Sequence, residues 1–130
     1  VSDFGAALHA FAQSTGIKCD KVVRKVAIDM DRDLVMLTPV DTGLARSNWF
    51  FGNTRETSVD KTASKNGDPS IHRGLEFAST LRAGGIFYIT NNVPYIMRLE
   101  YGSSTQAPAG MARITVARWQ QTVDAAVRSL

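Results

Sequence analysis

DKVVRKVAIDMDRDLVMLTP, residues 20–39, is the stretch whose reading decides the fold. Val22, Val23, Val26, Met30, Leu34 and Leu37 recur at three-to-four spacing, while Lys21, Arg24, Lys25, Asp29, Asp31 and Asp33 occupy the other side. A period near 3.6 with charges opposite an apolar stripe predicts an amphipathic helix of about five turns. Pro39 ends it, because the ring blocks helix continuation and disfavours helical backbone in the residue before it. Working toward the N-terminus, Ser2 can cap a short helix to about Ala12, with Phe4, Leu8 and Phe11 on one face and Gly16 as its stop.

After the helix, Arg46 to Phe51 alternate in a way that predicts a strand with Ser47, Trp49 and Phe51 on one face. From Asn53 to Ser70 the chain holds Thr, Ser, Lys, Asp and Gly with almost no large apolar side chain. That composition predicts a mobile loop or extended arm over about 53–74. Leu75, Phe77 and Leu81 fit a strand or a short helix equally poorly. Ile86 to Thr90 follows Gly84-Gly85 and reads as a buried strand. The last element is helical: Ala112, Val116, Trp119, Val123, Val127 and Leu130 form one stripe. The order helix, strands, helix argues for an α+β fold, a small antiparallel β-sheet packed against a long helix in the N-terminal half and a long C-terminal helix.

The 130 residues are 44% hydrophobic and 21% charged, enough for one globular domain spanning 1–130 and too few for two cores. A net charge of +3 permits weak attraction to nucleic acid without marking a nucleic-acid binder. The charge is uneven, since after Ile86 Arg98, Arg113, Arg118 and Arg128 face only Glu100 and Asp124. A single cysteine, Cys19, excludes an internal disulfide and fits a reducing, cytosolic compartment. Neither a secretory pattern at the start nor an apolar run of membrane-spanning length is visible, so a chain without a membrane is expected.

Catalytic signatures are missing from the sequence. His9 and His72 sit in a first helix and a polar loop, and neither accompanies a nucleophile elbow. Ser103 and Ser104 follow Gly102 as turn residues. Asp29, Asp31 and Asp33 alternate along a helix, so their side chains do not converge as cation ligands do, and a solvated face is expected. Trp49 and Trp119 fall on expected core faces. No metal, no cofactor and no enzymatic activity are expected.

Two stretches hold more turn chemistry than the rest. LTPVDTGLARSNW, residues 37–49, turns a corner through Pro39, Asp41 and Gly43, where Asp41 can bond the backbone two residues on and Gly43 can take positive φ. ITNNVPYIMRLEYGSSTQAPAGMARITVARW, residues 89–119, concentrates Tyr95, Met97, Leu99 and Tyr101 between Pro94 and Gly102, then breaks into small residues up to Gly110.

In order and spacing these two blocks resemble the tail-component family of long-tailed, lambda-like bacteriophages, the neck or tail-completion proteins. The matching positions are Thr38, Pro39, Asp41, Thr42, Gly43 and Trp49 in the first block. In the second they are Asn91, Pro94, Tyr95, Leu99, Glu100, Gly102, Ser104, Gln106, Ala107, Pro108, Gly110 and Met111. Ala112 stands where a larger aliphatic residue is more usual, and 53–74 carries no family signature. With the flanking helices the resemblance covers about residues 20–120.

The resemblance implies a structural virion protein, assembled in the bacterial host cytoplasm and located in the neck or tail. It implies a homo-oligomeric ring, six-fold by analogy with similar tails, between the head connector or stopper and the tail terminator or tail tube. Tyr95, Met97, Leu99, Tyr101, Ser103, Ser104, Gln106 and Pro108 then become expected subunit or partner contacts. Arg113, Arg118 and Arg128 become residues near a DNA path, without base reading. A tail terminator that caps the tube is the alternative within this class. A small basic DNA-binding module is the alternative outside it, and a hydrolase using Ser103 or Ser104 with His72 is the weakest reading.

Overall fold

A computed structural model describes residues 2–102, 104–107 and 109–129. The chain is α+β. Helix α1 runs Ser2–Leu37, a 3-10 turn spans Arg46–Asn48, and strand β1 spans Phe50–Gly52. Helix α2 covers Asp68–Ala78 and strand β2 Tyr88–Thr90. Three short helices follow: α3 at Ile96–Glu100, α4 at Ala112–Ala117 and α5 at Trp119–Arg128. β1 and β2 pair antiparallel with Phe50 opposite Thr90, Phe51 opposite Ile89 and Gly52 opposite Tyr88.

Several expectations are corrected. The two N-terminal helices are one, because Gly16 in a helix interior costs only about 1 kcal/mol and is followed by no proline. Pro39 does stop the helix, which ends at Leu37. The expected strand at Arg46 begins only at Phe50, since Arg46 to Asn48 close a 3-10 turn onto Gly43, Leu44 and Ala45 carbonyls. Residues 68–74 belong to α2, started by Gly67 with positive φ and by Pro69 in the first turn. Ile86 is exposed and the second strand starts at Tyr88. The C-terminal helix is broken at Arg118 into α4 and α5.

The buried ridge of α1 is rotated about one residue from the apolar stripe. Ala27, Asp31 and Val35, at i, i+4 spacing, are fully buried. They meet the small ridge Ser70, Gly74 and Ala78 of α2: Gly67 approaches the Val35 side chain, Gly74 approaches Asp31, and Ala27 clusters with Ala78. The two helices are therefore antiparallel and interdigitate along their four-residue ridges. A side chain at Gly74 would enter the Asp31 carboxylate, so glycine is what lets the helices close.

Two apolar clusters lie along α1. Leu34, Val35, Trp49, Ala107 and Met111 form one, with Ile89, Ile96 and Leu99 against it. Ala27, Ala78 and Leu81 form the other, with Phe51, Phe77 and Phe87 beside it at ring separations of 6.0–6.3 Å, Phe51 stacked on Phe87 and edge-on to Phe77. Trp49 is buried as expected and its Nε1 donates to Thr38 Oγ1 at 2.9 Å. Trp119 is not: it is 48% exposed. The C-terminal buried positions are Met111, Thr115, Thr122 and Ala126, and Val116, Trp119 and Val127 of the expected core stripe are exposed. Among the described residues no helix is long and apolar enough to cross a membrane.

Segment 53–67 has no regular element, yet it is not a loose arm. Asn48 is buried and clamps it, donating from Nδ2 to the Asp60 carbonyl at 2.9 Å and accepting the Asp60 N–H at 2.7 Å. Asn92 donates to the Glu56 carbonyl at 2.7 Å, and Ser47 exchanges hydrogen bonds with the Ser64 backbone. Arg73 donates to Asp60 Oδ2 at 2.9 Å and to the carbonyls of Ser47 and Trp49 at 2.8 Å. Its guanidinium also lies 4.0 Å over the Phe50 ring. A polar segment lacking apolar burial is thus ordered through its backbone, which composition does not reveal.

Candidate functional site

The corner that follows α1 is built by hydrogen bonds to α1's own C-terminus. Thr38 donates from Oγ1 to the Leu34 carbonyl at 2.5 Å, and Arg46 donates to the Thr38 carbonyl at 2.8 Å and the Met36 carbonyl at 3.2 Å. Orphan carbonyls at a helix end need such donors, and a cation there also suits the helix dipole. Gly43 takes φ 91°, with its α-carbon so close to the Ser64 backbone that a side chain has no room. Thr42, rather than Asp41, supplies the turn: its Oγ1 accepts the Leu44 N–H at 3.2 Å.

The second motif is held by Glu100. Its carboxylate accepts the N–H groups of Met111 at 2.8 Å, Ala112 at 2.9 Å and Arg113 at 2.8 Å, the free donors at the start of α4. Burial pushes this carboxyl upward, but the three backbone donors and Arg113 outweigh it and hold it below the ordinary range. Gly110, at φ 85°, packs against the Glu100 carbonyl where a side chain would collide. The described residues between Gly102 and Gly110 therefore lie on a turn whose two ends, Glu100 and Gly110 to Arg113, are joined by one carboxylate.

The two motifs meet. Gln106 grips Val40 by both backbone groups, accepting its N–H at 3.0 Å and donating to its carbonyl at 3.3 Å. Asn91 donates to the Ala45 carbonyl at 3.0 Å and caps its own turn by accepting the Val93 N–H. Between these ties lies an open groove of about 560 Å³ with Pro39, Val40 and Leu44 on one wall and Tyr95, Leu99 and Gln106 on the other. Burial, and then the Asp41 carboxylate, raise the Tyr95 hydroxyl pKa above its ordinary value. Asp41 lines the same groove.

Each expected contact residue has a definite place. Leu99 is half-buried against the Trp49 cluster, whereas Tyr95, Met97 and Tyr101 are exposed, Tyr101 at 67%. Ser104 lines the groove and its Oγ accepts the Gln106 N–H at 3.2 Å. Ser103 and Pro108 lie outside the described residues. Pro94 is exposed, and Gly102 has positive φ as a turn glycine. Of the three basic residues, Arg113 bonds Glu100 and lies 5.0 Å over the Tyr101 ring. Arg118 shares a shallow groove with Asp33, and Arg128 is exposed in the last turn of α5.

His72 is exposed on α2 and His9 is exposed on α1, and neither lines the groove. Among the described residues no group of three or more His, Cys, Asp or Glu side chains could hold a metal ion.

Three residues that organise this region escape the sequence reading: Arg46, Arg73 and Asp31. Asp31, expected on a solvated face, is 2% exposed, its Oδ1 accepts no hydrogen bond, and burial lifts its pKa to about 7 despite Arg73 and Arg32. The signal for Asp31 was its i, i+4 position between Ala27 and Val35. For Arg46 and Arg73 there was none, because a guanidinium that bonds carbonyls distant in sequence has no local pattern.

Comparison of the chain with known proteins finds no matching family model, no matching curated protein and no matching solved structure.

Proposed function

We propose that the chain is a ring-forming structural subunit of a phage neck, a tail-completion protein joining the head connector to the tail tube around the DNA path. The observation that carries this reading is the convergence of the two motif blocks. Separated by about forty residues, they are tied to each other by Gln106–Val40 and Asn91–Ala45 and enclose one groove. Residues that bear the resemblance thus share one region, with Trp49, Ala107 and Met111 in its core and Pro39, Tyr95 and Gln106 at the groove. Tyr95, Met97 and Tyr101 beside it are exposed aromatic and thioether side chains of the kind that anchor protein interfaces. One heterologous contact repeated around a closed rotation suffices for a ring.

The test is genetic and visual. Deleting the gene from a phage that carries it is expected to leave filled heads and tails of normal length that do not join, with rings at the neck of complemented particles in electron micrographs. Overlong tails instead would favour the tail-terminator reading. Absence of the protein from purified virions would sink both. Within the groove, Leu44→Glu is expected to reduce joined particles at least tenfold while the isolated subunit keeps its helical circular dichroism.

A further inference from the structure

The groove between the two motif blocks offers charge and apolar area that its own chain leaves unmatched. Pro39, Val40 and Leu44 face Tyr95 and Leu99 across it, and Asp41, also in its lining, is exposed and forms no ion pair among the described residues. A carboxylate beside apolar walls suits a partner that brings one cation next to one apolar side chain.

That combination stands on a loop elsewhere on the same chain. Between Leu81 and Phe87 the sequence reads RAGGI. The base of this loop is fixed: Arg24 Nε donates to the Leu81 carbonyl at 2.7 Å, and the Ala83 N–H donates to Asp20 Oδ1 at 2.7 Å. Beyond its base the loop stands clear, since Arg82 to Ile86 are all exposed and, apart from its chain neighbours, no atom lies within 4 Å of where a side chain on Gly84 would begin. Ile86, at 77%, is the most exposed of the large apolar side chains described. Arg82 forms no ion pair among the described residues. An exposed Ile alone is ordinary. Beside an unpaired cation on a projecting loop it is the counterpart of the groove.

We propose that the Arg82–Ile86 loop of one copy of this chain seats in the Pro39–Tyr95 groove of a second copy, with Ile86 between the apolar walls and Arg82 beside Asp41. A single copy cannot join the two. The loop is anchored at Asp20 and Arg24, whereas the groove begins past the end of α1 at Leu37. From Arg24 to Leu37 the helix axis alone runs about 20 Å at about 1.5 Å per residue. The contact is therefore heterologous: a copy that gives its loop still has an open groove, and addition continues until a rotation closes. Every chain carries both halves of the fit, which selects a second copy over a foreign protein. A loop tip buries less than the roughly 800 Å² per partner of a standard interface, but in a closed set each copy makes the contact twice. The inference deepens the ring reading, on which it rests for the role of the groove.

The experiment uses the isolated full chain. Light scattering across the micromolar to millimolar range is expected to give masses that pass twice 14.2 kDa, because a heterologous dimer keeps one loop and one groove open. Arg82→Asp and Asp41→Arg are each expected to weaken association on the order of tenfold, since like charges then meet across the contact, and the chain carrying both changes should recover most of the loss. Both positions are exposed, so thermal melts of the variants are expected to match that of the natural chain. In a Cys19→Ser background, chains bearing Ile86→Cys mixed with chains bearing Val40→Cys should form a disulfide between the two kinds under mild oxidation. A monomer throughout the range, a mass that stops at the dimer, single charge changes without effect, or a double variant that recovers nothing would each overturn the inference. A monomer whose Asp41→Arg form still loses joined particles in a phage would assign the groove to a foreign neck protein instead. The neck reading is decided separately, by whether the protein is present in virions.

Discussion

Asp31 is where a single residue departs most from its sequence setting. Its carboxyl is buried against Gly74 with one oxygen unbonded, and its pKa is raised from 3.8 to about 7. Below about pH 4 the folded and unfolded chains both hold the proton. As pH rises toward 7 the unfolded chain ionises first, so stability falls, and above 7 the loss is complete, on the order of 4 kcal/mol. Arg73 and Arg32 are the cations that reduce this cost. Asp31→Asn is expected to be more stable than the natural chain at pH 8 and nearly equal to it at pH 4, as read from urea midpoints. An equal shift at both pH values would place the effect in packing instead. Glu100 acts with the opposite sign: its lowered pKa means that its contribution is lost as pH falls through the acid range.

Among the elements, segment 53–67 shows how a stretch without apolar residues is ordered by the residues it touches. Asn48 binds both backbone groups of Asp60, and Arg73 holds the Asp60 carboxylate. Hydrogen bonding by Thr62, and with it Arg73, keeps that carboxylate below its ordinary pKa. Trypsin sites at Arg55, Lys61 and Lys65 should therefore resist cleavage in the folded subunit. Asn48→Ala is expected to speed cleavage there at least tenfold, since the buried clamp is lost while the helices remain. Rapid cleavage of the natural chain at those sites would refute the clamp. The helices follow a related rule, in that α1 and α2 are locked by the small ridge Ser70, Gly74, Ala78 and not by the largest apolar side chains.

For the whole molecule, charge is the property that separates the readings. The net charge is +3, and Arg113 and Arg118 are engaged with Glu100 and beside Asp33. The isolated subunit is expected to bind duplex DNA only weakly, in the range of non-specific binding, with a shallow salt dependence. Fluorescence anisotropy with a labelled duplex checks this. Submicromolar affinity with a steep log–log salt slope would favour the DNA-binding module over a ring that merely surrounds its DNA.

Local physics makes part of this protein legible in the sequence alone. Periodicity gave the amphipathic helix to Leu37, Pro39 its end, Gly43, Gly102 and Gly110 their turns, and Trp49 its place in the core, because each depends on neighbours a few residues away. Other features needed the fold. Which α1 ridge is buried depends on the small residues of α2 that lie across from it. That Thr122 and Ala126 are buried at the C-terminus while Trp119 is half exposed depends on where α5 meets α1. The union of the two motif blocks depends on one side chain, Gln106, reaching a backbone 66 residues away. Hydrogen bonds and ridge fit at that distance cost chain entropy that only the assembled core offsets, so no window of sequence contains them.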